Sequence, residues 1–311
     1  MKTVVLDGQA VNPGDLSWEW LKECGEYVVY DQTLREQIIE RAYDADHIIT
    51  NKVVFDKEVF DKLPNLKYIG LTATGYNIID VDYAAKCGVV VTNVPAYSTN
   101  SVAQHTFALM LELMTQCALH NASVKRGDWA NNDYFCYWLT PQIEIAGKTL
   151  GIVGGGQIGM KVAEIAKAFD MNVLIYGKTQ KPGRVSLDEL LEKSDIVSIH
   201  CPMNAETDKL INKNTIAKMR DEVFVVNTAR GGIINEEDMA EALKSGKVAG
   251  FAADVISSEP PENTNPLILA PNTIITPHLA WATVEARSRL MDGVRDNLVG
   301  FISGNIQNKV N

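Results

Sequence analysis

Short apolar runs alternate with segments of helical spacing along the first part of the chain. Helical spacing of apolar residues occurs in Leu34 to Ala42 and in Asp80 to Lys86. Strands that alternate with helices indicate βαβ units and a parallel sheet. One small α/β domain is therefore predicted here, with strands at Thr3 to Gly8, Tyr27 to Tyr30, His47 to Thr50, Lys67 to Ala73 and Val89 to Val94.

A second alternating series begins at Leu150. Its first apolar run enters a glycine-rich stretch and resumes from Met160 to Phe169 as a helical pattern. Further helices are predicted near Leu187, Thr215 and Asn235. With its first strand, the series predicts a six-stranded doubly wound sheet, whose later strands are Asn172 to Tyr176, Ile196 to His200, Val223 to Asn227, Val248 to Ala253 and Thr273 to Thr276.

One long helix, Ser98 to Arg126, is predicted between the two series. Its apolar faces exceed what one domain could cover, so contact with a second subunit stands beside the alternative of a core helix. The aromatic, irregular segment Asn131 to Ala146 is predicted to be an arm that lies on a surface. A last helix, Ala282 to Ser303, must pack on one of the two domains. The predicted division is residues 1–98 with 283–311, and residues 99–282.

The glycine-rich stretch LGIVGGGQIG contains the pattern G-x-G-x-x-G at Gly154, Gly156 and Gly159. The first glycine permits a tight turn, the second lets the backbone approach a pyrophosphate, and the third lets helix and strand pack closely. The start of the following helix offers unpaired N–H groups to phosphates. The alternative is a glycine-rich turn without a ligand, but the flanking strand and helix patterns favour a dinucleotide.

Composition narrows the possible functions. Of 311 residues, 46% are hydrophobic and 22% charged, and 29 Lys and Arg against 39 Asp and Glu give a net charge of -10. This balance disfavours binding to nucleic acid, which needs clustered Lys and Arg. The five scattered cysteines contain no C-x-x-C pair, so neither a disulfide framework nor a metal site is predicted. Neither a signal peptide nor a membrane span is indicated, and a cytoplasmic protein is expected.

Three polar residues follow predicted strands of the second series. Arg230 lies in NTARGG, Glu259 follows the strand that ends near Asp254, and His278 lies in TPHLA. The carboxyl ends of parallel strands share one edge, so these side chains are expected to meet. Arginine can hold a carboxylate, histidine can donate a proton, and a carboxylate can orient the imidazole. The alternatives are a structural ion pair for Arg230, an exposed loop acid for Glu259 and a capping role for His278.

The motifs NTARGG, DVISSEPPE and TPHLAWAT, in this order after LGIVGGGQIG, resemble the signatures of the D-isomer-specific 2-hydroxyacid dehydrogenases. The resemblance covers nearly the whole chain. It implies a Rossmann-type dinucleotide-binding domain and a smaller flavodoxin-like substrate domain in an NAD(P)-dependent oxidoreductase. This enzyme would transfer a hydride between nicotinamide and a small 2-oxo or D-2-hydroxy acid. The family's arginine binds the substrate, its glutamate supports the histidine and its histidine is the acid/base, and these roles fall on Arg230, Glu259 and His278.

The resemblance also implies binding residues in both domains. LTATGYNIID resembles the substrate loop, and NVPAYSTNSVAQHTFAL resembles the hinge segment, in which His105 is expected to be a packing residue. A solvated loop lysine remains the alternative for Lys52. The expected substrate-binding residues are Asn51, Lys52, Ala73, Thr74, Gly75 and Trp138. The expected cofactor-binding residues are Val102, Thr106, Gly154, Gly156, Gln157, Ile158, Gly159, Gly177, Lys178, Thr179, Cys201, Pro202, Thr228, Ala229, Asp254 and Ala280.

Within the family, DYFCYWLTPQIEIAGKTLG and VVLDGQAVNPGDLSWE are most similar to glycerate dehydrogenases, also called hydroxypyruvate reductases. That similarity implies hydroxypyruvate or glyoxylate as substrate, with D-glycerate in the reverse direction. It also implies a homodimer in which Trp138 forms a wall of the substrate pocket, either of its own subunit or of the neighbouring subunit. The alternative is a corepressor-like protein of the same superfamily that senses the dinucleotide.

The choice between NAD and NADP is left open by the sequence. An acid that binds the ribose 2′-OH usually stands about 20 residues after the glycines. Gly177 stands at that place, and Lys178, Thr179, Lys181 or Arg184 could bind a 2′-phosphate instead. Solvated loop residues are the alternative for these cations.

Overall fold

The computed structural model describes residues 1–179 and 181–311 and divides into two compact units. The first unit consists of Met1–Ser98 and Ala282–Asn311, and the second of Thr99–Trp281. No helix in the described ranges is long and apolar enough to cross a membrane.

The first unit contains a five-stranded parallel sheet in the order β2-β1-β3-β4-β5. This flavodoxin-like order confirms the prediction for the smaller domain. Short 3₁₀ turns cover Gly8–Ala10, Glu19–Cys24 and Arg35–Gln37. The strands are β1 (Lys2–Val5), β2 (Glu26–Val29), β3 (His47–Thr50), β4 (Tyr68–Leu71) and β5 (Val90–Thr92), and the helices are α1 (Ile38–Ala42), α2 (Lys57–Asp61) and α3 (Val81–Lys86).

The second unit contains a six-stranded parallel sheet in the order β11-β10-β9-β8-β6-β7. The direction of strand addition reverses between β6 and β8, which makes this the switch point where a doubly wound sheet binds its ligand. The strands are β6 (Thr149–Val153), β7 (Asn172–Tyr176), β8 (Ile196–Ile199), β9 (Val223–Asn227), β10 (Val248–Ala253) and β11 (Thr273–Ile275). The helices are α4 (Thr99–Thr115), α5 (Cys117–Lys125), α6 (Gln157–Ala168), α7 (Leu187–Lys193), α8 (Lys213–Lys218), α9 (Glu236–Ser245) and α10 (Pro266–Leu269), and Gly231–Ile233 forms a 3₁₀ turn.

The last helix, α11 (Val284–Ser303), belongs to the first unit. Thr283 caps its start by accepting a hydrogen bond from Ala286 N, and Gly304 ends it with a φ of 81°. Phe301 packs against Tyr68 of β4 at a ring separation of 4.9 Å. The buried Arg287 donates two hydrogen bonds of 2.6 Å to Asp15. The carboxy-terminal helix therefore completes the first unit through aromatic packing and a bidentate ion pair.

The prediction of one continuous helix from Ser98 to Arg126 is wrong. The segment forms α4 and α5, which are separated at Gln116 by a left-handed backbone with a φ of 45°. A non-glycine residue rarely adopts this conformation without support from its surroundings, and the apolar spacing on either side does not reveal it. The break therefore ends α4 at Thr115 and starts a separate helix at Cys117.

Candidate active site

The glycine-rich turn between β6 and α6 requires its glycines for close backbone approach. Gly154 has a φ of 114°, which side chains disfavour. A Cβ on Gly154 would overlap the backbone between His200 and Cys201, and a Cβ on Gly159 would overlap the carbonyl of Gly154. The turn is therefore drawn tightly against the ends of β6 and β8.

The start of α6 fits a pyrophosphate. Gly156 is its N-cap, no side chain caps the helix, and a Cβ on Gly156 would meet nothing within 4 Å. The N–H groups of Gln157 and Ile158 belong to the first turn, where no intrahelical acceptors exist. Open space, free donors and the positive end of the helix dipole together suit a phosphate group.

At the end of β7, an arginine side chain lies beside Gly177, the position that usually carries an acid in NAD sites of this type. Arg184 donates from Nη1 to the Thr179 carbonyl at 2.7 Å and from Nη2 to the Gly155 carbonyl at 3.0 Å. A Cβ on Gly177 would lie 2.5 Å from Nη1, so the guanidinium occupies the space of a side chain at this position. Nearby, the exposed Lys178 forms an ion pair with Glu206 at 2.7 Å. Within residues 1–179 and 181–311, Arg184 forms no ion pair with a carboxylate.

Arg230 follows β9 and is exposed. Its Nη1 donates to the Ala229 carbonyl at 2.7 Å, and Asn227 holds the turn by donating to the Arg230 carbonyl at 3.0 Å. A Cβ on Gly231 would overlap the backbone of Ile256 and Ser257, so the turns after β9 and β10 are in direct contact. In the described part of the chain no carboxylate pairs with Arg230, which leaves its charge available for an anionic ligand.

His278 and Glu259 form a hydrogen-bonded pair. Nδ1 of His278 lies 2.5 Å from Oε2 of Glu259, and both side chains are partly exposed. The Glu259 Oε1 atom accepts a hydrogen bond from Ile256 N at 3.3 Å. An ionised carboxylate only accepts, so Nδ1 carries the hydrogen and Nε2 is left to exchange a proton with a ligand.

Asp254 holds the backbone that carries His278. It is 1% exposed, and its carboxylate accepts from Leu279 N at 2.9 Å and from Ala280 N at 2.8 Å. The Thr276 hydroxyl donates to the same carboxylate at 2.6 Å. Three donors compensate the burial of this charge. Both carboxylate oxygens are therefore engaged by the turn after β11.

Burial lowers the pKa of two of the five histidines, His47 and His200. His200 lies at the end of β8, where burial lowers its pKa to about 3. Its Nε2 atom is 2.8 Å from the hydroxyl of Ser198. Burial also lowers the pKa of His47, which lies in the core of the first unit between Thr3 and Phe301. Both imidazoles are neutral at neutral pH.

Other predicted cofactor residues line the same edge of the second sheet. Thr106 on α4 lies 2.9 Å from the hydroxyl of the buried Thr228, which follows β9, and Val102 accepts a hydrogen bond from Thr106. Ser101 donates to the Ala280 carbonyl at 2.6 Å. These bonds tie α4 to the carboxyl ends of the strands. The remaining predicted residues follow the ends of β8 and β9 and are Cys201, Pro202 and Ala229.

The predicted substrate residues of the first unit form a connected group. Asn51 donates to the Thr72 carbonyl at 2.6 Å, and Thr74 donates to the Val94 carbonyl at 2.9 Å. The backbone N–H groups of Asn51 and Lys52 donate to Asp7, a carboxyl whose pKa is raised by burial. In the described ranges, the N–H groups of Ala73, Thr74 and Gly75 donate to no carbonyl or carboxylate. They are available to bind an anion.

Trp138 belongs to the second unit and lies in the segment after α5. Its side chain is exposed, as are those of Tyr134 and Phe135. The neighbouring Leu139 N donates to Nε2 of His120 at 3.0 Å. Among the described residues of the second unit, no hydrogen bond links the Trp138 side chain to the carboxyl ends of the strands.

Comparison with known proteins identifies the family. Residues 107–280 match the model of the D-isomer specific 2-hydroxyacid dehydrogenase, NAD binding domain. The chain is 46% identical to a protein of Blautia hydrogenotrophica named hydroxypyruvate reductase, over 100% of both chains. It is 38% identical to a glycerate dehydrogenase of Methylorubrum extorquens, over 92% of both. The chain belongs to the D-isomer-specific 2-hydroxyacid dehydrogenase family.

Solved structures of other dehydrogenases and reductases have the same fold. An acyclic imino acid reductase in complex with NADPH and D-Arg has a TM-score of 0.87 at 30% identity, over 100% of both chains. A D-lactate dehydrogenase of Aquifex aeolicus with NAD and lactic acid has a TM-score of 0.82 at 31% identity, over 98% of this chain and 96% of that one. The predicted family, fold class and NAD(P)-dependent oxidoreductase activity are confirmed, and these relatives give no support to the corepressor-like alternative.

In this dehydrogenase, two residues without a predicted role, Thr276 and Ser101, and the expected packing residue His105 support the predicted site. Thr276 and Ser101 bond to the segment around His278, and His105 contacts Thr276. The position of Thr276, two residues before His278 at the end of a strand, was the available signal. No local pattern links Ser101 or His105 to that segment.

The contact between Gly231 and Ile256 predicts that Gly231→Ala is strongly impaired. The new Cβ meets backbone atoms, so the turns of Arg230 and Glu259 must separate. A displacement of about 1 Å at a catalytic group lowers turnover by about 100-fold. Steady-state kinetics together with the melting temperature measure the effect.

Gly232→Ala is the matched control. The close contacts of its Cβ would be with the flexible end of Met203, which can move, and Asp208 Oδ1 would lie at an ordinary contact distance of 3.8 Å. We expect turnover within about threefold of wild type, since moving the end of a flexible side chain costs little free energy of folding. Equal kinetics for wild type and Gly231→Ala would contradict the inference that the contact between the two turns positions Arg230 and Glu259.

Proposed function

We propose that the protein is a hydroxypyruvate or glyoxylate reductase that acts in reverse on D-glycerate. Full-length similarity to a protein named hydroxypyruvate reductase supports the substrate class. The hydrogen bond between His278 and Glu259 supports the reaction type, because it leaves Nε2 of the imidazole to protonate a carbonyl oxygen. A small 2-oxo acid supplies that oxygen beside a carboxylate.

The proposed mechanism divides the work among three side chains. Bound nicotinamide supplies the hydride for the carbonyl carbon. Arg230 holds the substrate carboxylate and polarises the adjacent carbonyl with its planar guanidinium. His278 donates a proton from Nε2 in reduction and accepts one in oxidation, while Glu259 keeps the hydrogen on Nδ1 and stabilises the imidazolium.

The two units are proposed to have separate roles. Residues 99–281 would bind the dinucleotide, and the first unit would contribute substrate contacts through Asn51, Lys52 and the free N–H groups of residues 73–75. A cytoplasmic location is proposed as well, because the five cysteines are free thiols, as expected in a reducing compartment.

Replacement of the site residues tests the reaction. Arg230→Lys is expected to raise KM and lower kcat for hydroxypyruvate, since one ammonium cannot bind two oxygens in a plane. Loss of the proton donor in His278→Ala is expected to lower kcat by about 100-fold or more. Oxidation of NADH and NADPH is followed with hydroxypyruvate, glyoxylate and pyruvate in turn.

Arg126→Lys is the control for this experiment, because the Arg126 side chain forms an exposed ion pair with Asp128 that a lysine can keep. Wild-type turnover in both Arg230→Lys and His278→Ala would exclude the assigned site. A clear preference for pyruvate over hydroxypyruvate and glyoxylate would reject the proposed substrates while leaving the reaction type in place.

We further propose that Arg184 makes NADP(H) the favoured cofactor. An acid at position 177 would repel a 2′-phosphate, whereas the guanidinium of Arg184 occupies that space without a carboxylate partner in the described ranges. Its bonds to the Gly155 and Thr179 carbonyls span the glycine-rich turn and the end of β7. A planar guanidinium at this point suits a bidentate contact with a phosphate.

Binding measurements separate the two cofactors without relying on turnover. Titration calorimetry with NADPH, NADH and adenosine 2′,5′-bisphosphate is expected to give tighter binding of NADPH than of NADH. Loss of a charged hydrogen bond in Arg184→Leu should weaken NADPH and the bisphosphate by about 10- to 100-fold. The affinity for NADH should change little.

Arg220→Leu serves as the control, since Arg220 pairs with Asp195 before β9, away from the carboxyl ends of the strands. Equal wild-type affinities for NADPH and NADH would reject the preference. Equal weakening of both cofactors in Arg184→Leu would show that the arginine only supports the turn.

A homodimer is proposed from the exposed segment after α4. The described chain leaves an unusual density of large apolar side chains there, which a monomer does not normally expose. The most exposed are Phe135 at 89%, Tyr134 at 77% and Trp138 at 69%. A second copy of the chain would cover them, and Trp138 would wall the substrate pocket of one subunit.

Oligomeric state and substrate affinity test this arrangement. Phe135→Arg is expected to shift the protein from dimer to monomer in sedimentation experiments, because a charge would have to be buried. Trp138→Ala is expected to keep the dimer and raise KM for hydroxypyruvate by about tenfold, as for a lost aromatic contact. Leu269→Arg, at a comparably exposed site on α10, is the control. A monomeric wild type would contradict the proposal.

A further inference from the structure

His105 makes a polar contact that its expected packing role does not explain. Its Nε2 atom lies 2.9 Å from the hydroxyl of Thr276 and 3.5 Å from Oδ1 of Asp254. The side chain is 18% exposed and stands on α4 between Val102 and Thr106. The imidazole therefore touches the segment that leads into His278.

The carboxylate of Asp254 determines the direction of the hydrogen bond between His105 and Thr276. Thr276 donates its only hydroxyl hydrogen to the carboxylate of Asp254, at 2.6 Å. The Thr276 oxygen must then accept from His105, which requires the hydrogen of the imidazole to be on Nε2. The result is a directed chain from His105 through Thr276 to Asp254.

Asp254, at the end of this series of hydrogen bonds, holds a strained backbone segment. His278 has a φ of 52°, a left-handed conformation that a non-glycine residue keeps only when its surroundings hold it. Its N–H donates to the Asp254 carbonyl at 2.8 Å, and the Asp254 carboxylate binds the next two N–H groups, of Leu279 and Ala280. Asp254 therefore holds the backbone at His278 and at the two residues that follow it. The Thr276 side chain binds the same carboxylate from a position two residues before His278.

We propose that His105 is a positioning residue for the proton donor, which acts through Thr276 and Asp254 to hold His278 in its left-handed backbone and against Glu259. This inference rests on the proposed role of His278 as the proton donor. His105 itself touches neither Glu259 nor His278 through any hydrogen bond in the described ranges. Its effect is therefore expected on turnover rather than on cofactor binding.

Two replacements of similar size separate hydrogen bonding from packing. His105→Leu removes the donor, and kcat is expected to fall by about 10- to 100-fold, with KM for the cofactor within about twofold of wild type. His105→Gln places an amide N–H near the position of Nε2, and kcat is expected to return to within about threefold of wild type. Gln104→Leu, at the adjacent exposed position of α4, is the control.

A double replacement tests the route of the effect. Thr276→Val removes the hydroxyl with little change of shape. Because both residues act through the same chain, His105→Leu with Thr276→Val is expected to be no slower than the slower single variant. The melting temperature of each variant, measured on the purified full chain, shows whether the kinetic change accompanies a loss of folding.

Each other outcome overturns the inference. Normal kcat with a lowered melting temperature in His105→Leu would make His105 a packing residue. Failure of His105→Gln to restore turnover, or multiplicative losses in the double variant, would exclude the hydrogen-bonded route. Normal turnover in His278→Ala would overturn both this inference and the proposed proton donor, whereas an inactive His278→Ala beside a normal His105→Leu would overturn only the positioning role.

Discussion

The buried carboxylate of Asp254 is the interaction on which the arrangement of the site depends. A charge that is 1% exposed is tolerable only when hydrogen bonds replace its hydration. The donors come from Thr276, Leu279 and Ala280, which lie on both sides of His278. Satisfying one buried charge therefore fixes the backbone of the proposed proton donor, and the left-handed conformation of His278 is the strain that this network supports.

Close backbone approach is the second constraint. The turn after β6 touches the end of β8 at Gly154, and the turn after β9 touches the turn after β10 at Gly231. Each contact lies at the carboxyl edge of one parallel sheet, where successive strands deliver residues that are distant in the chain. Glycine allows these turns to meet without intervening side chains, which brings the arginine turn next to that of Glu259.

Local charge, rather than net charge, decides which ligands the second unit suits. The whole chain carries a charge of -10, yet Arg184 and Arg230 have no carboxylate partner in the described ranges, and the start of α6 is uncapped. Anionic groups would meet a positive centre at each of these places. Burial lowers the pKa of His200 to about 3, so the imidazole at the end of β8 adds no positive charge at neutral pH.

The sequence by itself determined the α/β architecture, the glycine-rich turn and the positions of Arg230, Glu259 and His278 after three successive strands. Apolar periodicity and glycine spacing are local properties, and strands such as Val223–Asn227 were predicted to the residue. Tertiary structure alone decided the break at Gln116, the return of Arg184 to the glycine-rich turn, and the contact of His105 with Thr276, 171 residues away. Periodicity shows that a strand exists, but it carries no information about which side chains meet once the strands are assembled.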